Sequence, residues 1–238
     1  MTKNFWEKEY KNPTHLAISE EPSGDLENFV RWAVRNSDWP PFPQGGLVVD
    51  VGCGNGRNII ALCEESGMKG EAFDISNEAI AQAKKKAREK NLSINFSVRN
   101  AGDFFPLLNE STDVVLDMMV SHFLNEKERS SLYKEIARIV KPFGWFYFKT
   151  FILDGDLHAR RLIDKYPSGE FNTYIHPKIK VAEHVFTEEE IIEIFSPSFV
   201  IHKMIKSYKH IKDGEAHKRR TVSVYMERRR DDNDSFLF

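Results

Sequence analysis

The residues with the clearest chemical purpose are Asp50, Gly52, Cys53, Gly54 and Gly56, in the run Leu47-Val48-Val49-Asp50-Val51-Gly52-Cys53-Gly54-Asn55-Gly56-Arg57-Asn58. A β-branched apolar run ends on an acid, breaks into glycines at every second position and leads into Ile59-Ile60-Ala61-Leu62. This pattern predicts a buried strand, a tight turn and a helix start. Glycine removes the side chain that would keep a ligand off the backbone and permits positive φ, so the ligand belongs over the turn, near the first amides of the helix. The glycine spacing differs from G-x-G-x-x-G, the nicotinamide fingerprint, and no Gly-Lys-Ser/Thr follows as in a P-loop. Further along, His122, His158, His176 and His184 are candidates for proton transfer. They lack the compact spacing of a metal site, so no metal is expected. Arg160 and Arg161 can clamp a carboxylate or phosphate, with a solvated helix turn as the equal alternative. Tyr166, Tyr174 and His176 are candidates for a substrate pocket.

These residues need a scaffold, and the rest of the chain supplies an alternation of strands and helices. The 238 residues, 41% of them hydrophobic, suffice for one substantial core. Residues 1–45 form an expected helical cap: Leu26, Phe29, Val30 and Ala33 fall at helical spacing before the breaker Pro40-Pro41-Phe42-Pro43, and Trp6, Tyr10, Trp32 and Trp39 can pack in the core or wall a pocket. Residues 46–238 form the main domain. After the helix that follows the glycine turn, Glu71-Ala72-Phe73-Asp74-Ile75 is a short strand closed by an acid, and Ser76 caps a helix to Lys90. Strands are expected at Ile94–Val98, Asp113–Met119 and Trp145–Phe151, with an Asn125/Glu128 capping box opening a helix to Ile139. Residues 154–186 show no clear period and contain Gly155, Pro167, Gly169 and Pro177, which marks a lid or substrate-recognition insertion. Thr187-Glu188-Glu189-Glu190 opens a last helix. Phe199–Tyr208 and Thr221–Glu227 then form an antiparallel hairpin whose turn lies near Asp213-Gly214, and the charged run Arg228–Asp234 is expected to fray. Regular alternation of this kind implies an α/β fold, a parallel sheet with helices on both faces, and ligands at the carboxyl ends of the strands.

The spacing acid-x-Gly-x-Gly-x-Gly after apolar residues resembles the first motif of class I S-adenosylmethionine-dependent methyltransferases. The resemblance extends to Asp74 at the end of the second strand, and to Lys141-Pro142-Phe143-Gly144, which looks like the family's Lys-Pro-Gly-Gly with Phe143 as a departure of little consequence. It runs from about Leu47 to Glu227. It implies a Rossmann-like class I methyltransferase fold, a seven-stranded mostly parallel sheet with an antiparallel terminal hairpin, and S-adenosylmethionine as cofactor, with S-adenosylhomocysteine as product. By the same resemblance Asp50 orients the methionine amino group, Gly52, Cys53, Gly54 and Gly56 lie against the methionine and ribose, and Asp74 with Ile75 holds the ribose. A carboxylate suits the two ribose hydroxyls because it accepts two hydrogen bonds and donates none. Adenine contacts fall to Asn100 and Ala101 or to Asp103. Asp117 and Met118 end the fourth strand at the cofactor, and Met119 and His122 face the substrate. His122 and His176 are the catalytic candidates.

The expected activity is in-line methyl transfer to a small molecule. The alternatives are an RNA or protein methyltransferase, contacting its substrate through the His217-Lys218-Arg219-Arg220 loop and the basic helix Lys84–Arg88, or a non-catalytic S-adenosylmethionine-binding module. Thirty-four basic against 36 acidic residues, a net charge of −2, give no global footprint of a nucleic-acid binder. The absence of Asn-Pro-Pro-Tyr or Asp-Pro-Pro-Tyr after strand four also speaks against adenine methylation in nucleic acid. With two cysteines, no leader-like N-terminus and no long apolar run, the sequence points to a cytoplasmic protein without membrane association.

Overall fold

A computed structural model describes residues 2–15, 18–207, 211–212, 215–216 and 219–230. The expected turn at Asp213-Gly214, the loop residues His217 and Lys218 and the charged tail from Asp231 lie outside these residues.

In chain order the elements are α1 (Thr2–Lys11), α2 (Gly24–Asn36), β1 (Leu47–Val51), α3 (Arg57–Ser66), β2 (Lys69–Asp74), α4 (Asn77–Glu89), β3 (Ile94–Val98) and β4 (Thr112–Met118). A single 3₁₀ turn, Ser121–Phe123, leads to α5 (Glu126–Ile139), β5 (Val140–Phe151), α6 (Leu157–Lys165), β6 (Thr173–Ile175) and β7 (Ala182–His184). The chain closes with α7 (Glu188–Phe195), β8 (Phe199–Lys206), β9 (Ile211–Lys212), β10 (Glu215–Ala216) and β11 (Thr221–Arg228). The main sheet has seven strands in the order β3-β2-β1-β4-β5-β11-β8, parallel from β3 to β5, with β11 antiparallel to both its neighbours. Strand order reverses between β1 and β4, so the carboxyl ends of these two strands form the crevice in which this architecture binds ligands.

Both faces of the sheet are covered, which is why β1 and β4 read as nearly continuous apolar runs. On one face Val49, Val51, Val115, Phe146 and Phe148 pack with Leu132 and Ile136 of α5 and with Ile191 and Phe195 of α7. On the other, Val48, Val114, Leu116 and Tyr147 pack with Leu26, Phe29 and Ala33 of α2, Ile59 and Leu62 of α3 and Ile80 and Ala83 of α4. Phe29 stacks on Tyr147 at a centroid distance of 4.9 Å, so α2 is built into the core. Trp39, by contrast, is exposed.

Local signals set the helix ends. Ser76 Oγ accepts the Ala79 amide, and both Asn125/Glu128 and Thr187/Glu190 form complete capping boxes. Gly56 caps α3 at φ 78°, and a Cβ there would sit 2.9 Å from Ala83 Cβ and 3.1 Å from Ile60 Cδ1. The third glycine of the turn therefore serves the contact between α3, α4 and the sheet, and is not on the ligand side. Gly56→Ala should destabilise the fold by about 2–3 kcal/mol through the left-handed backbone and the overlap together. Urea unfolding measures this, and a midpoint equal to that of the parent would refute the packing role.

Three expectations change. Helix α1 was not foreseen. The insertion at 154–186 is not a structureless lid: Asp156 caps α6 by accepting the Ala159 amide, β6 pairs with β7, and Ala159, Tyr174 and Val185 form a small core. Phe143 is also more than a neutral departure, because it takes φ 65° at the irregular start of β5. A side chain there costs about 1 kcal/mol or more, where glycine would cost none.

Candidate active site

The glycine turn forms one wall of a cavity of about 800 Å³ at the switch point. Gly52, Cys53 and Gly54 line it, together with Asn55, Arg57 and Asn58. The Cys53 main chain also holds the turn, its amide donating to Phe73 O at 3.0 Å and its carbonyl accepting the Gly56 amide at 3.0 Å. Asp74 lies at the carboxyl end of β2, where Oδ2 accepts the Gly54 amide at 3.0 Å and Oδ1 accepts the Ser76 amide at 2.9 Å. A carboxylate can accept more than these two bonds, and Asp74 and Ile75 both line the cavity. Burial raises the Asp74 carboxyl above its ordinary range, partly offset by the Ser76 and Gly54 amides.

The roof over the turn is α1. Tyr10 lies where a Cβ on Gly54 would point, 2.2 Å from its hydroxyl, so Gly54 at φ 56° admits both the turn and the tyrosine. Glu7 Oε2 accepts Ser76 Oγ–H at 2.9 Å and the Asn77 amide at 2.8 Å, placing an acid on the positive end of α4. Trp6 packs edge-on against Phe123 at 4.8 Å. Trp6 and Tyr10 thus belong to the cavity, whereas Phe29 and Trp32 belong to the core.

Asp50 and Asp117 do not line the cavity. Asp50 alternates with Val49 and Val51, so its side chain turns to the α3 face, where the Ile59 amide reaches it. It is 2% exposed, and Oδ2 has no hydrogen-bond partner. Burial first, then Asp74 and Asp117, push its carboxyl up to about 8. Asp117 points to the opposite face and holds the 3₁₀ turn, accepting Ser121 Oγ–H and the Val120 and Ser121 amides at 3.3 Å. Burial moves it up to about 6 despite those bonds.

At the end of β3, Asn100 and Ala101 line the cavity, whereas Asp103 is exposed and does not. Asn100 Oδ1 accepts the Gly102 amide at 3.0 Å and Nδ2 donates to Glu128 at 3.1 Å; Glu128 is also on the wall. Met118 ends β4 and Met119 follows it; both line the cavity, and Met119 takes φ 69°, an unusual backbone for a residue with a side chain.

The far half is lined by His122, Phe123, Phe151, His158, Tyr174, His176, Glu183 and Arg219 among others. His122 is buried with Nδ1 unpartnered, and burial, with the Arg219 and His184 charges, holds its pKa well below the ordinary value. His176 Nδ1 accepts the Lys178 and Ile179 amides at 3.2 and 3.3 Å, which puts the ring proton on Nε2. Burial lowers its pKa as well. It is therefore a hydrogen-bond donor to the cavity and not the base that the sequence suggested. Arg160, Arg161 and Tyr166 are absent from the wall. Helix α6 turns Ala159, Leu162 and Ile163 inward, leaves both arginines in solvent, and lays Lys165 over the Tyr166 ring. The guanidinium at the site comes instead from Arg219, whose basic context reads as an exposed loop. His184 lies off the cavity, between Thr173 and Glu190. Among the described residues no group of His, Cys, Asp and Glu forms a metal site.

These residues fit S-adenosylmethionine. Asp74 keeps acceptor capacity for a diol, the glycine turn is bare, and the buried Asp50 carboxyl beneath it favours a cationic group above.

Residues 48–144 match the methyltransferase-domain family. A ubiquinone biosynthesis O-methyltransferase of Thiobacillus denitrificans is 32% identical over 137 residues, 50% of this chain and 57% of that protein. A tRNA (carboxymethyluridine(34)-5-O)-methyltransferase of Arabidopsis thaliana is 26% identical over 144 residues, 58% of this chain and 32% of that protein. A solved S-adenosylmethionine-dependent methyltransferase of Methanosarcina mazei shares the fold at a TM-score of 0.69 and 21% identity, covering 89% of this chain and 100% of that one. The matches span between about a third and three fifths of the first curated relatives. Fold, glycine turn and Asp74 define a Rossmann-like methyltransferase architecture. Over these residues the chain is similar to the methyltransferase-domain family, and its fold is that of the solved S-adenosylmethionine-dependent methyltransferase.

Proposed function

We propose that this chain transfers a methyl group from S-adenosylmethionine to a small-molecule acceptor. When bound, the cofactor supplies an electrophilic sulfonium methyl, for which correct alignment of the acceptor provides much of the acceleration. The chain's own part is to bind, orient and exclude water. Asp74, Ile75 and the glycine turn hold the nucleoside, Asn100 and Ala101 its base, and the Asp50 carboxyl beneath the turn acts on a cationic group through space, without touching it. His122, neutral at pH 7 and a weak base, orients the acceptor by a hydrogen bond, and His176 donates from Nε2.

The observation that carries the small-molecule reading is the convergence of several elements on one cleft. Helix α1, the 3₁₀ turn and the 154–186 segment all contribute to one cavity of about 800 Å³, within the size range of metabolite sites. RNA is the second reading, favoured by similarity to the plant tRNA enzyme. Against it, Arg219 is turned into the cavity and the Arg220 guanidinium is spent on Ser207 O at 3.2 Å and Asp154 O at 2.7 Å, so neither is presented to a phosphate backbone. No helix among the described residues is long and apolar enough to cross a membrane, and the buried free Cys53 and Cys63 suit the cytoplasmic location included in the proposal.

Radiolabelled methyl transfer into metabolite, RNA and protein extracts tests the proposal. Label is expected in the metabolite fraction. Label confined to RNA or protein would overturn the small-molecule reading, and no label despite tight cofactor binding would overturn catalysis.

A further inference from the structure

The far half of the cavity contains a guanidinium held rigid on three sides. Arg219 Nε donates to Asp156 Oδ2 at 3.3 Å, while Nη1 donates to Tyr174 Oη and, at 3.2 Å, to Glu183 Oε2. Its Cζ lies 4.3 Å from the centroid of the Phe151 ring and 5.1 Å from that of Tyr174. The side chain is 12% exposed, and Nη2 is buried with no partner. A buried charged donor left unsatisfied is costly, and an arginine fixed by its other nitrogens has already lost most of its rotamer freedom before a ligand arrives.

The neighbours narrow the ligand. Asp156 is fully buried and already accepts the Ala159 amide at 2.9 Å and the Arg220 amide at 2.7 Å, so it holds Arg219 and is not available to a substrate. Glu183 is likewise buried and occupied by Tyr174 and Arg219. The donors on this wall are Arg219 Nη2, the Nε2–H of His176, whose ring is 6.2 Å from that of Tyr174, and the Lys178 side chain, with the unpartnered His122 Nδ1 beside them. Next to these donors runs a chain of rings, Phe151 to His122 at 4.8 Å, His122 to Phe123 at 3.9 Å and Phe123 to Trp6 at 4.8 Å. Donors beside a ring-lined slot match a planar ligand with an oxygen anion at one end.

We propose that the methyl acceptor is a small aromatic acid, its carboxylate held by Arg219 Nη2 and His176 Nε2 and its ring packed against Phe123 and Phe151. Arg219 then determines specificity, and the inference rests on the small-molecule methyl-transfer reading.

The test uses the full chain saturated with S-adenosylhomocysteine and ligand-observed NMR titration of benzoate and 4-hydroxybenzoate against benzamide and 4-hydroxybenzamide. The acids are expected to bind at least about tenfold more tightly than their amides. Arg219→Gln should erase that preference while S-adenosylhomocysteine affinity stays unchanged. Equal binding of acids and amides, binding of neither, or a preference that survives Arg219→Gln would overturn the inference. Because the acid-to-amide ratio is measured on the parent chain, it decides the matter even if the variant unfolds. Failure of the parent chain to bind S-adenosylhomocysteine at all would instead sink the methyl-transfer reading itself.

Discussion

Alanine at position 74 is expected to weaken S-adenosylhomocysteine binding about a hundredfold in isothermal titration calorimetry. The carboxylate keeps acceptor capacity after accepting Gly54 N and Ser76 N. Two hydrogen bonds from ribose hydroxyls to a charged acceptor are worth about 1.5 kcal/mol each, and ~3 kcal/mol corresponds to about two orders of magnitude in affinity. The fold should lose less. Ser76 Oγ still caps α4, accepting the Ala79 amide at 3.1 Å, so the structural penalty is the loss of one acceptor for two backbone amides, about 1–2 kcal/mol and a melting temperature lowered by roughly 5 °C. Asp74→Asn keeps one acceptor oxygen and should fall between the two. An alanine variant with parental affinity would refute the ribose assignment, and one that is unfolded would show that Asp74 is needed mainly for the turn.

The parts of this molecule that were legible in the sequence are those fixed by short-range chemistry. The strand before the glycine turn, the caps at Ser76, Asn125 and Thr187 and the acid closing β2 each depend on residues within a few positions of one another, and each is observed. Side-chain direction was harder to read. Asp50 and Asp117 sit at strand ends beside the crevice, yet strand alternation turns one under α3 and the other toward the 3₁₀ turn. Their place in the chain suggested the cavity wall, and the pleat put them behind it.

What was not legible depends on long-range partners. Helix α1 has no acidic first turn, and only Phe5, Trp6 and Tyr10 make it apolar. Its tertiary anchors are Glu7 on the N-terminus of α4, some 70 positions away, and Tyr10 O accepting Gln82 Nε2 at 2.9 Å. Arg219 is similar. In isolation Lys218-Arg219-Arg220 is a solvated cationic run, and burying Arg219 takes Asp156, Glu183 and Tyr174, which arrive from α6 and the β6–β7 hairpin. Arg160 and Arg161 had the better local argument for the same role, but the helical phase set by the Asp156 cap faces them outward.

The buried acid beneath the turn gives the second large effect, a pH dependence of cofactor binding carried by Asp50. In the ligand-free chain its carboxyl titrates near 8, because burial and the Asp74 and Asp117 carboxyls disfavour its charge. A cationic group bound over the turn favours the charged form of the acid beneath it, so binding releases a proton wherever the free chain holds Asp50 neutral. Affinity for S-adenosylhomocysteine should therefore rise with pH, by up to about tenfold per unit between pH 6 and 8, and level off above 8. Asp50→Asn should bind weakly and lose that slope. The stability of the ligand-free chain moves in the opposite direction. The folded state holds a proton that an unfolded Asp50 gives up near its ordinary value of 3.8, so this group's contribution is fully present below about pH 4 and lost as pH rises through about 8. Calorimetric titrations at pH 6, 7 and 8 with paired melting curves resolve both trends. An affinity flat over that range, or a slope retained in Asp50→Asn, would uncouple Asp50 from cofactor binding and leave it as a buried acid under α3.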